Sequence, residues 1–227
     1  MTLNKGNVDV PAAPIIGVIL AGGRSRRMDG QDKSMLLLGG LPLIKHVIVR
    51  AQGQVAKLII SAPKNPALDE FGLDVVEDSI SGFAGPLAGV LSALEWVEQN
   101  YPTAKWLATF ATDAPFIPTD MIKKFIAVAG NNNYVMAQSD GRDHPVFALW
   151  PVSAKNELRA AIKNDGLSRV GQWFENHKTI KIDFTPTDDN QTPDPFFNVN
   201  TPADIVLAEK IFSVGSIGLL DGESILK

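Results

Sequence analysis

The stretch Ile15-Ile16-Gly17-Val18-Ile19-Leu20-Ala21-Gly22-Gly23 decides the fold, because a long apolar run ends here in three small residues. The run from Ile15 to Leu20 is rich in β-branched residues and shows no polar alternation, as expected of a strand that is buried on both faces. The small residues Ala21, Gly22 and Gly23 then let the backbone lie close to a ligand. Exposed backbone amides beyond a buried strand are typical of phosphate sites, so we predict an anion-binding loop here.

The rest of the chain alternates apolar runs of strand length with helical patterns. This alternation favours an α/β fold with a doubly wound, mostly parallel sheet and helices on both faces. The expected strands are residues 15–20, 57–61, 73–76, 106–109, 134–137, 146–150 and 179–184. The expected helices are residues 43–52, 87–100, 119–128, 153–164, 168–175 and 202–212. We predict a loose lead over residues 1–14, a single domain over residues 15–212, and a tail over residues 213–227.

Three helix starts carry capping signals. Thr119 with Asp120 and, farther on, Ser168 are residue types that accept hydrogen bonds from the first turn of a helix. Before the last helix, Thr201 stands at the cap position, and Pro202 follows at the first helical position. Asp204 then lies within the first turn, where a negative charge is favoured by the helix dipole.

Composition excludes several classes of protein. The chain has 227 residues, 45% hydrophobic and 20% charged, which fits one soluble α/β domain with a substantial core. Its net charge of −4 gives no overall attraction to nucleic acid. The absence of cysteine excludes disulfides, thiolate metal sites and cysteine nucleophiles. No apolar run approaches the ~18 residues of a membrane span. We expect a cytoplasmic protein that binds neither nucleic acid nor membrane.

Positive charge is concentrated directly after the glycine loop. Arg24, Arg26 and Arg27 follow Gly23, and Lys33 comes soon after. A tight turn with solvated arginines is the alternative, but this density of cations favours anion binding. The segment has neither the P-loop pattern nor the Gly-x-Gly-x-x-Gly fingerprint. A nucleoside triphosphate held by backbone amides and lysine without either motif indicates a sheet of the nucleotidyltransferase type.

An aspartate stands just beyond the end of another apolar run. Asp113 follows the strand predicted to begin at Trp106 and precedes a proline-rich loop. It either makes an Asx turn or binds a cation. Mg²⁺ needs only one or two carboxylates besides substrate phosphates and water. A lone carboxylate opposite a phosphate loop would repel an anionic ligand, so we predict that Asp113 binds Mg²⁺.

Asp78 also follows a short predicted strand and is either a solvated loop acid or part of the same site. Gly82, Gly85 and Gly89 come next and lead into a helix whose amides would face a ligand. A glycine inside a helix, as at position 89, costs roughly 1 kcal/mol relative to alanine. We therefore expect close packing or ligand approach at Gly89.

Three further polar residues lie in the second half of the chain. His144 follows Arg142 in a predicted turn over residues 140–145, and it either makes structural hydrogen bonds or contacts, with Arg142, a second anionic substrate. Asn198 and Asn200 alternate just before the last helix, and helix capping explains neither of them. They are candidates for reading the polar atoms of a substrate.

Together these segments resemble the molybdenum cofactor guanylyltransferases, the MobA-type family. The matching pieces occur in the family order over roughly residues 15–211, and they are residues 20–28 with 32–33, 77–79, 85–89, 112–118, 143–145 and 198–202. The resemblance implies a Rossmann-like fold and transfer of GMP from GTP to molybdopterin-bound molybdenum, with release of pyrophosphate. Two departures are Ser61, where the family usually has asparagine, and Asp29, where glycine is common.

The resemblance also assigns roles to residues. It implies that GTP is bound by the strand end and its loop, by Lys33 and by two aspartates, so that the set is Leu20, Ala21, Gly22, Gly23, Lys33, Asp78 and Asp113. Mg²⁺ would bind Asp113. The related cytidylyltransferases usually carry Ala-Ala-Gly where this chain has Ala-Gly-Gly, which favours GTP. We further expect Asp78 to accept hydrogen bonds from guanine.

The implied reaction is an in-line attack by the terminal phosphate of molybdopterin on the α-phosphorus of GTP. Lys33, Arg27 and Asp113 form the expected catalytic set, and His144, Asn198 and Asn200 would contact the pterin substrate. Transient contacts with proteins that deliver or accept the cofactor are also expected. The alternatives are a CTP-using cytidylyltransferase, a sugar-phosphate nucleotidyltransferase, and a GTP-binding module without chemistry.

Overall fold

The computed structural model describes residues 13–22, 33–80, 85–187 and 193–213. The strands in these residues are Ile15–Leu20 (β1), Leu37–Leu38 (β2), Leu41–Pro42 (β3), Lys57–Ser61 (β4), Asp74–Val76 (β5), Trp106–Ala111 (β6), Tyr134–Ser139 (β7), Arg142–Pro151 (β8) and Thr179–Asp183 (β9). The α-helices are Leu43–Gln52 (α1), Pro86–Asn100 (α2), Met121–Ala129 (α3), Lys155–Asp165 (α4), Val170–Glu175 (α5) and Pro202–Ser213 (α6). Short 3-10 turns span Lys33–Met35, Pro66–Phe71 and Val152–Ala154.

Seven of the described strands form one sheet in the order β5-β4-β1-β6-β8-β7-β9. Strand β1 lies between β4 and β6 and is parallel to both. Strand β8 is antiparallel to its two neighbours, whereas β9 is parallel to β7, so six of the seven strands point the same way. The predicted mostly parallel, doubly wound α/β sheet is therefore confirmed, with one strand reversed.

Helices cover both faces of the sheet, and alternate residues of β1 point to opposite faces. Ile19 packs with α1 and α3 in one apolar cluster, and Val18 packs with α2, α4 and α5 in the other. Ile16, Val18 and Ile19 are completely buried, which confirms a first strand covered on both faces. Burial of each such side chain stabilises the fold by roughly 1.5–3 kcal/mol.

A smaller apolar cluster lies beside the sheet and anchors the last helix. It joins the β2–β3 hairpin and α1 to α6 through Leu38, Leu43 and Ala208, and it includes Val199 from the segment before α6. The backbone amide of Gly39 donates to Glu209 Oε1 at 2.8 Å. The hairpin thus holds α6 in place beside the core.

The cap of α6 agrees with the sequence analysis. Thr201 Oγ1 accepts from the Asp204 amide at 3.2 Å, and Asp204 Oδ2 accepts from the Thr201 amide at 2.8 Å. The other two predicted caps are wrong. Arg169, not Ser168, stands at the cap of α5, and it makes no side-chain cap bond. Asp120 stands at the cap of α3 but pairs with Lys124 at 3.0 Å instead of capping the helix.

The expected turn over residues 140–145 is shorter in the structure. Asp140 and Gly141 alone form the turn, both with positive φ (48° and 71°), as a two-residue hairpin connection requires. Arg142 and His144 belong to strand β8. The predicted lead and tail lie almost wholly outside the described residues and stay predictions. No helix in the described ranges is long and apolar enough to cross a membrane.

Candidate active site

A cavity of about 640 Å³ opens at the carboxyl ends of the parallel strands, where doubly wound sheets bind their ligands. Leu20 and Ala111, the last residues of β1 and β6, are register partners, so the segments that follow them emerge side by side. Because β8 runs in the opposite direction, its first residues reach the same edge. Arg142 and His144 therefore line the cavity together with Asp113.

The loop after β1 turns across the end of β4. The Ala21 amide donates to the Ser61 carbonyl at 2.8 Å, so Gly22 carries the first amide of the loop that has no hydrogen-bond partner among the described residues. A Cβ added at Gly22 would approach Pro63 no closer than 3.8 Å, and the backbone there is not left-handed. Neither crowding nor strain requires glycine at this position. Its lack of a side chain leaves room on the cavity side.

Lys33 lies at the centre of the described site. Its Nζ donates to Asp113 Oδ2 at 2.6 Å and to Asn200 Oδ1 at 2.6 Å. The side chains of Lys33 and Asp113 are 20% and 23% exposed, so the pair is partly shielded but still open to the cavity. The structure thus brings together two of the three residues expected to be catalytic. The third, Arg27, lies outside the described residues, as do Gly23, Arg24, Arg26 and Gly82.

Backbone bonds bring the segment before α6 to Asp113. The Val199 amide donates to the Asp113 carbonyl at 2.7 Å, and the Asn200 amide donates to Asp204 Oδ2 at 2.8 Å. These bonds place Asn200 beside Lys33 and Asn198 on the cavity wall. Asn198 Oδ1 is buried and has no hydrogen-bond partner among the described residues. A buried acceptor without a partner is costly unless a ligand or water satisfies it.

Arg50 of α1 and Gln54, just after the end of α1, hold the loop that follows Asp113, and the sequence analysis missed both. Arg50 Nη1 donates to the Ile117 carbonyl at 3.2 Å, and burial lowers the pKa of this guanidinium. Gln54 Nε2 donates to the Pro118 carbonyl at 2.9 Å, and its Oε1 accepts from the Ile122 amide at 2.9 Å. Gln54 thus accepts a hydrogen bond from an amide in the first turn of α3. Arg50 could have been found from the sequence, because it is a charged residue on the apolar face of an expected helix.

His144 is buried on the β8 side of the cavity. Its Nε2 lies 2.7 Å from Ser139 Oγ, and its ring stacks on Phe196 with centroids 4.6 Å apart. Burial lowers the pKa of His144. Ser139 Oγ in turn donates to Asp194 Oδ1 at 2.8 Å. Neither Ser139 nor Asp194 was identified from the sequence, since nothing in their spacing links them to His144.

The β7–β8 ladder contains a bulge next to His144, on this part of the cavity wall. Met136 pairs with Ala148, but the next residue, Ala137, pairs with His144. Three residues of β8 therefore have no register partner on β7. Pro145 lies in that bulge, where its missing amide disrupts no ladder bond.

Asp78 lies at the same sheet edge but away from Lys33. It follows β5, which is two strands from β1 in the sheet. At the usual spacing between neighbouring strands, β5 and β1 are roughly 10 Å apart. Asp78 is exposed and is not part of the cavity wall, although partial desolvation raises its carboxyl pKa. The Ser79 amide donates to Ser92 Oγ on α2 at 2.8 Å and fixes the strand end.

Close packing explains the glycine inside α2. A Cβ at Gly89 would lie 2.6 Å from Ser61 Oγ and 3.2 Å from Leu20 Cδ2. The helix therefore approaches β1 and β4 closely at this point, as expected. Ser61, which stands at the family's usual asparagine position, is buried against the helix, and its carbonyl positions the loop after β1.

Asp113 is the carboxylate of the cavity that faces Lys33. Within the described ranges, no group of three or more histidine, aspartate or glutamate side chains is gathered as a metal site. Asp113 offers one carboxylate, which suits Mg²⁺, an ion that keeps several waters and binds substrate phosphates, better than it suits ions that demand a full set of protein ligands. The residues present therefore fit a cation that arrives with a phosphate substrate.

Comparison with known proteins shows what this arrangement is similar to. Residues 17–180 match the MobA-like NTP transferase domain family. The chain is 38% identical over 198 residues to a molybdenum cofactor guanylyltransferase of a Bradyrhizobium species, covering 86% of this chain and 92% of that protein. It is 39% identical over 200 residues to the molybdenum cofactor guanylyltransferase of Mesorhizobium japonicum, covering 87% and 95%.

Solved structures show the same fold at lower identity. Molybdopterin-guanine dinucleotide biosynthesis protein A from Archaeoglobus fulgidus has a TM-score of 0.67 and 22% identity, covering 88% of this chain and 99% of that one. The 4-diphosphocytidyl-2C-methyl-D-erythritol synthase of Anaerococcus prevotii has a TM-score of 0.65 and 13% identity, covering 88% and 96%. The fold is thus shared by proteins with different nucleotides in their names.

Proposed function

The chain belongs to the MobA-like NTP transferase family, and on that premise we propose that it is a molybdenum cofactor guanylyltransferase. It transfers GMP from GTP to the molybdopterin-bound molybdenum cofactor and yields the guanine dinucleotide cofactor and pyrophosphate. Two relatives with this name are 38% and 39% identical over 86% and 87% of the chain. The observation that carries the proposal is the pairing of Lys33 with Asp113 on one cavity beside the loop after β1.

The reaction is a displacement at the α-phosphorus of GTP. An oxygen of the terminal phosphate of molybdopterin forms the new P–O bond, and the bond to the β-phosphate bridging oxygen breaks. No general base is needed, because the attacking phosphate is ionised at neutral pH. Such a reaction depends on positioning and charge neutralisation.

The residues of the cavity position the triphosphate and neutralise its charge. The Gly22 amide and Lys33 meet the triphosphate, and Lys33 balances the charge that develops on pyrophosphate. Without substrate, Asp113 and Asn200 hold Lys33 in place. On binding, the triphosphate takes over the role of these two acceptors. Arg27, in the cationic segment after Gly23, is proposed to assist.

We assign Mg²⁺ to Asp113. When bound there, the ion supplies positive charge to the phosphate oxygens. The support is the chemistry of the site. Asp113 lies beside Lys33 where an anionic substrate must enter, whereas Asp143, the other described carboxylate of the cavity wall, pairs with Lys181 at 2.7 Å.

Asp78 is proposed to read the nucleobase. Guanine presents two adjacent N–H donors, whereas cytosine does not present the same pair, and a carboxylate accepts from both. Its position beyond β5 suits a nucleotide whose phosphates lie at β1 and whose base extends along the sheet edge. We expect Asp78→Ala to lower the GTP-to-CTP preference about tenfold or more, measured as the ratio of kcat/KM values. An unchanged ratio would remove Asp78 from the base site.

We place this enzyme in the cytoplasm, with only transient contacts to the proteins that deliver or accept the cofactor. One experiment tests the activity: pyrophosphate release from each of the four NTPs, with Mg²⁺, with and without molybdopterin-bound molybdenum. Release only with GTP and cofactor together supports the guanylyltransferase. Release with CTP would indicate a cytidylyltransferase. In a parallel reaction with a sugar phosphate in place of the cofactor, release would indicate a sugar-phosphate nucleotidyltransferase. Tight GTP binding without any release would indicate a binding module.

A further inference from the structure

A hydrogen-bonded chain of three side chains forms part of the cavity wall and is not used by the phosphate chemistry. We propose that Ser139 and Asp194 are positioning residues that hold the imidazole of His144 as a hydrogen-bond acceptor. In this arrangement His144 Nδ1 reads an N–H donor on the heterocycle of the second substrate. The inference rests on the proposed function for the identity of that substrate, but not for the state of the imidazole.

The direction of the bonds follows from the chemistry of the groups. Asp194 carries a carboxylate, which only accepts, so the hydroxyl proton of Ser139 is donated to Asp194 Oδ1 at 2.8 Å. Ser139 has no second proton. It must therefore accept from His144, whose Nε2 lies 2.7 Å away and carries the ring proton. In a neutral imidazole this leaves Nδ1 with a lone pair.

His144 is neutral near pH 7, because burial lowers its pKa. The charges nearby act in both directions: Asp194 and Asp143 raise the pKa, and Arg142 lowers it. Burial outweighs these contributions.

The second ring nitrogen of His144, Nδ1, has no hydrogen-bond partner among the described residues. Among the described residues, the buried side-chain nitrogens and oxygens that lack a partner are Trp173 Nε1 and Asn198 Oδ1. His144 Nδ1 is not among them, although no described residue forms a hydrogen bond with it. His144 lines the cavity, and on this ground we assign Nδ1 to the cavity side.

The imidazole is held rigidly. Phe196 stacks against it with an interplanar angle of 30°, and the Phe196 amide donates to the same Asp194 oxygen at 2.9 Å. Asp194 thus fixes both the hydroxyl behind the ring and the aromatic face beside it. Since Asn198 follows two residues after Phe196, the same anchor supports the second unpartnered acceptor on this wall.

This geometry changes the expected ligand group. A neutral ring with an outward lone pair repels an anionic oxygen, so His144 is not suited to contact the phosphate of the second substrate. It suits a donor. A pterin with a 2-amino-4-oxo pyrimidine ring has such donors along one edge, and the 2,4-dioxo ring of a lumazine has a carbonyl in place of the amino group.

The first test is the ¹⁵N NMR signature of the histidines in the full chain, which has three of them. His144→Gln assigns the resonances. We expect His144 in the wild type to be neutral with its proton on Nε2 at pH 7.5. Asp194→Asn, which is isosteric and both donates and accepts, and Ser139→Ala should each give a mixture of tautomers. Ser153→Ala, which removes an exposed hydroxyl bonded to Asn132, is the matched control and should change nothing. A wild-type proton on Nδ1, or on both nitrogens, overturns the inference.

The second test is binding of a pterin with a 6-phosphomethyl group and of the lumazine with the same substituent. We expect the wild type to bind the pterin about tenfold more tightly, the effect of one hydrogen bond made or opposed. In Asp194→Asn the ratio should fall toward one, and Ser153→Ala should keep it. Equal wild-type affinities overturn the 2-amino group as the donor that His144 contacts. Because neither test uses turnover, failure here leaves GMP transfer standing, and failure of GMP transfer leaves the tautomer result standing.

Discussion

At the scale of single residues, the contact of Lys33 with two acceptors describes the site before substrate enters. Lys33 is separated from Asp113 by 80 positions and from Asn200 by 167, yet one ammonium meets both side chains. A partly exposed ion pair contributes little to stability, about 0–1 kcal/mol. The arrangement is therefore better explained by the phosphate chemistry than by stability.

We predict that Lys33→Met weakens GTP binding and lowers turnover by about 100-fold or more, in line with the loss of one preorganised charge. The measurements are GTP affinity by calorimetry and pyrophosphate release. The matched control is Lys57→Met, because Lys57 forms a comparable ion pair with Asp74 at 2.7 Å. These two residues begin β4 and β5 and therefore lie at the opposite end of the strands from the cavity. Equal kinetics for the two variants would contradict the role of Lys33.

Asp113→Asn is expected to lower turnover by about 100-fold or more while changing the free energy of unfolding by less than about 1 kcal/mol. The amide keeps the shape and can still accept from Lys33, but it binds a divalent cation poorly. Turnover is measured over a titration of Mg²⁺, and stability by urea denaturation. Near-wild-type turnover at saturating Mg²⁺ would show that the carboxylate does not bind the ion.

The sequence pointed to Asp113 because it follows the end of a strand, and to Lys33 because it belongs to the cationic segment after the glycine loop. Both segments follow strands whose ends converge at one edge of a parallel sheet. Ser139, Asp194 and Arg50 gave no such signal. Their partners lie five, 55 and 67 positions away and include backbone carbonyls, which no side-chain pattern reveals. Residues that position other residues are therefore visible only in three dimensions.

At the scale of elements, periodicity predicted the helices and strands closely. The bounds of β1, β4 and α1 agree residue for residue. A proline precedes β1 and α1, and β4 begins and ends at a polar residue. The direction of β8 was not predicted, since alternation of side chains shows a strand but not its orientation. The Asp140-Gly141 turn held that information, because a two-residue connection joins only antiparallel neighbours.

The failed cap of α3 has an explanation that is also testable. Asp120 does not cap the helix because Gln54 of the loop after α1 accepts from the Ile122 amide. Gln54 also donates to the Pro118 and Arg50 carbonyls, so one side chain ties α1, α3 and the loop after Asp113 together. No rule of local capping includes a residue 68 positions away.

We predict that Gln54→Leu lowers the free energy of unfolding by about 1–3 kcal/mol, because it leaves polar backbone groups without partners. Gln52→Leu, at an exposed position of α1, is the control and should change stability by less than about 0.5 kcal/mol. Both are measured by urea denaturation. Similar losses in the two variants would mean that the bonds of Gln54 contribute no more than an exposed amide.

At the scale of the whole molecule, the site is assembled from distant parts of the chain by the sheet. The loop after β1, the loop after β6, the start of β8 and the segment before α6 all meet at one cavity. The strand order 5-4-1-6 is the 3-2-1-4 order of a doubly wound sheet when only the strands of the large sheet are numbered, so it was implied by the fold class. The position of α6 was not, because it depends on packing against the β2–β3 hairpin.

Two buried histidines connect this assembly to pH. His46 Nε2 lies 2.9 Å from the Leu38 carbonyl and fixes the hairpin that supports α6, and His144 lies on the cavity wall. Burial lowers the pKa of both. The folded protein therefore binds fewer protons than the unfolded chain just below the ordinary histidine pKa of about 6.5. Stability from these groups is fully present above that pH and is lost as the pH falls toward their folded pKa values.

We predict that the free energy of unfolding falls between pH 7.5 and pH 5.5, with a slope of at most about 1.4 kcal/mol per pH unit from each histidine. His46→Gln keeps a donor for the Leu38 carbonyl but removes the titration, so its slope should be about half that of the wild type. Urea denaturation at a series of pH values measures both slopes. The carboxylates with lowered pKa, Asp143, Asp183 and Asp204, lose their contribution only at more acid pH and do not affect this window. A wild-type stability that stays level or rises over this range would contradict the assignment of both histidines as neutral buried groups.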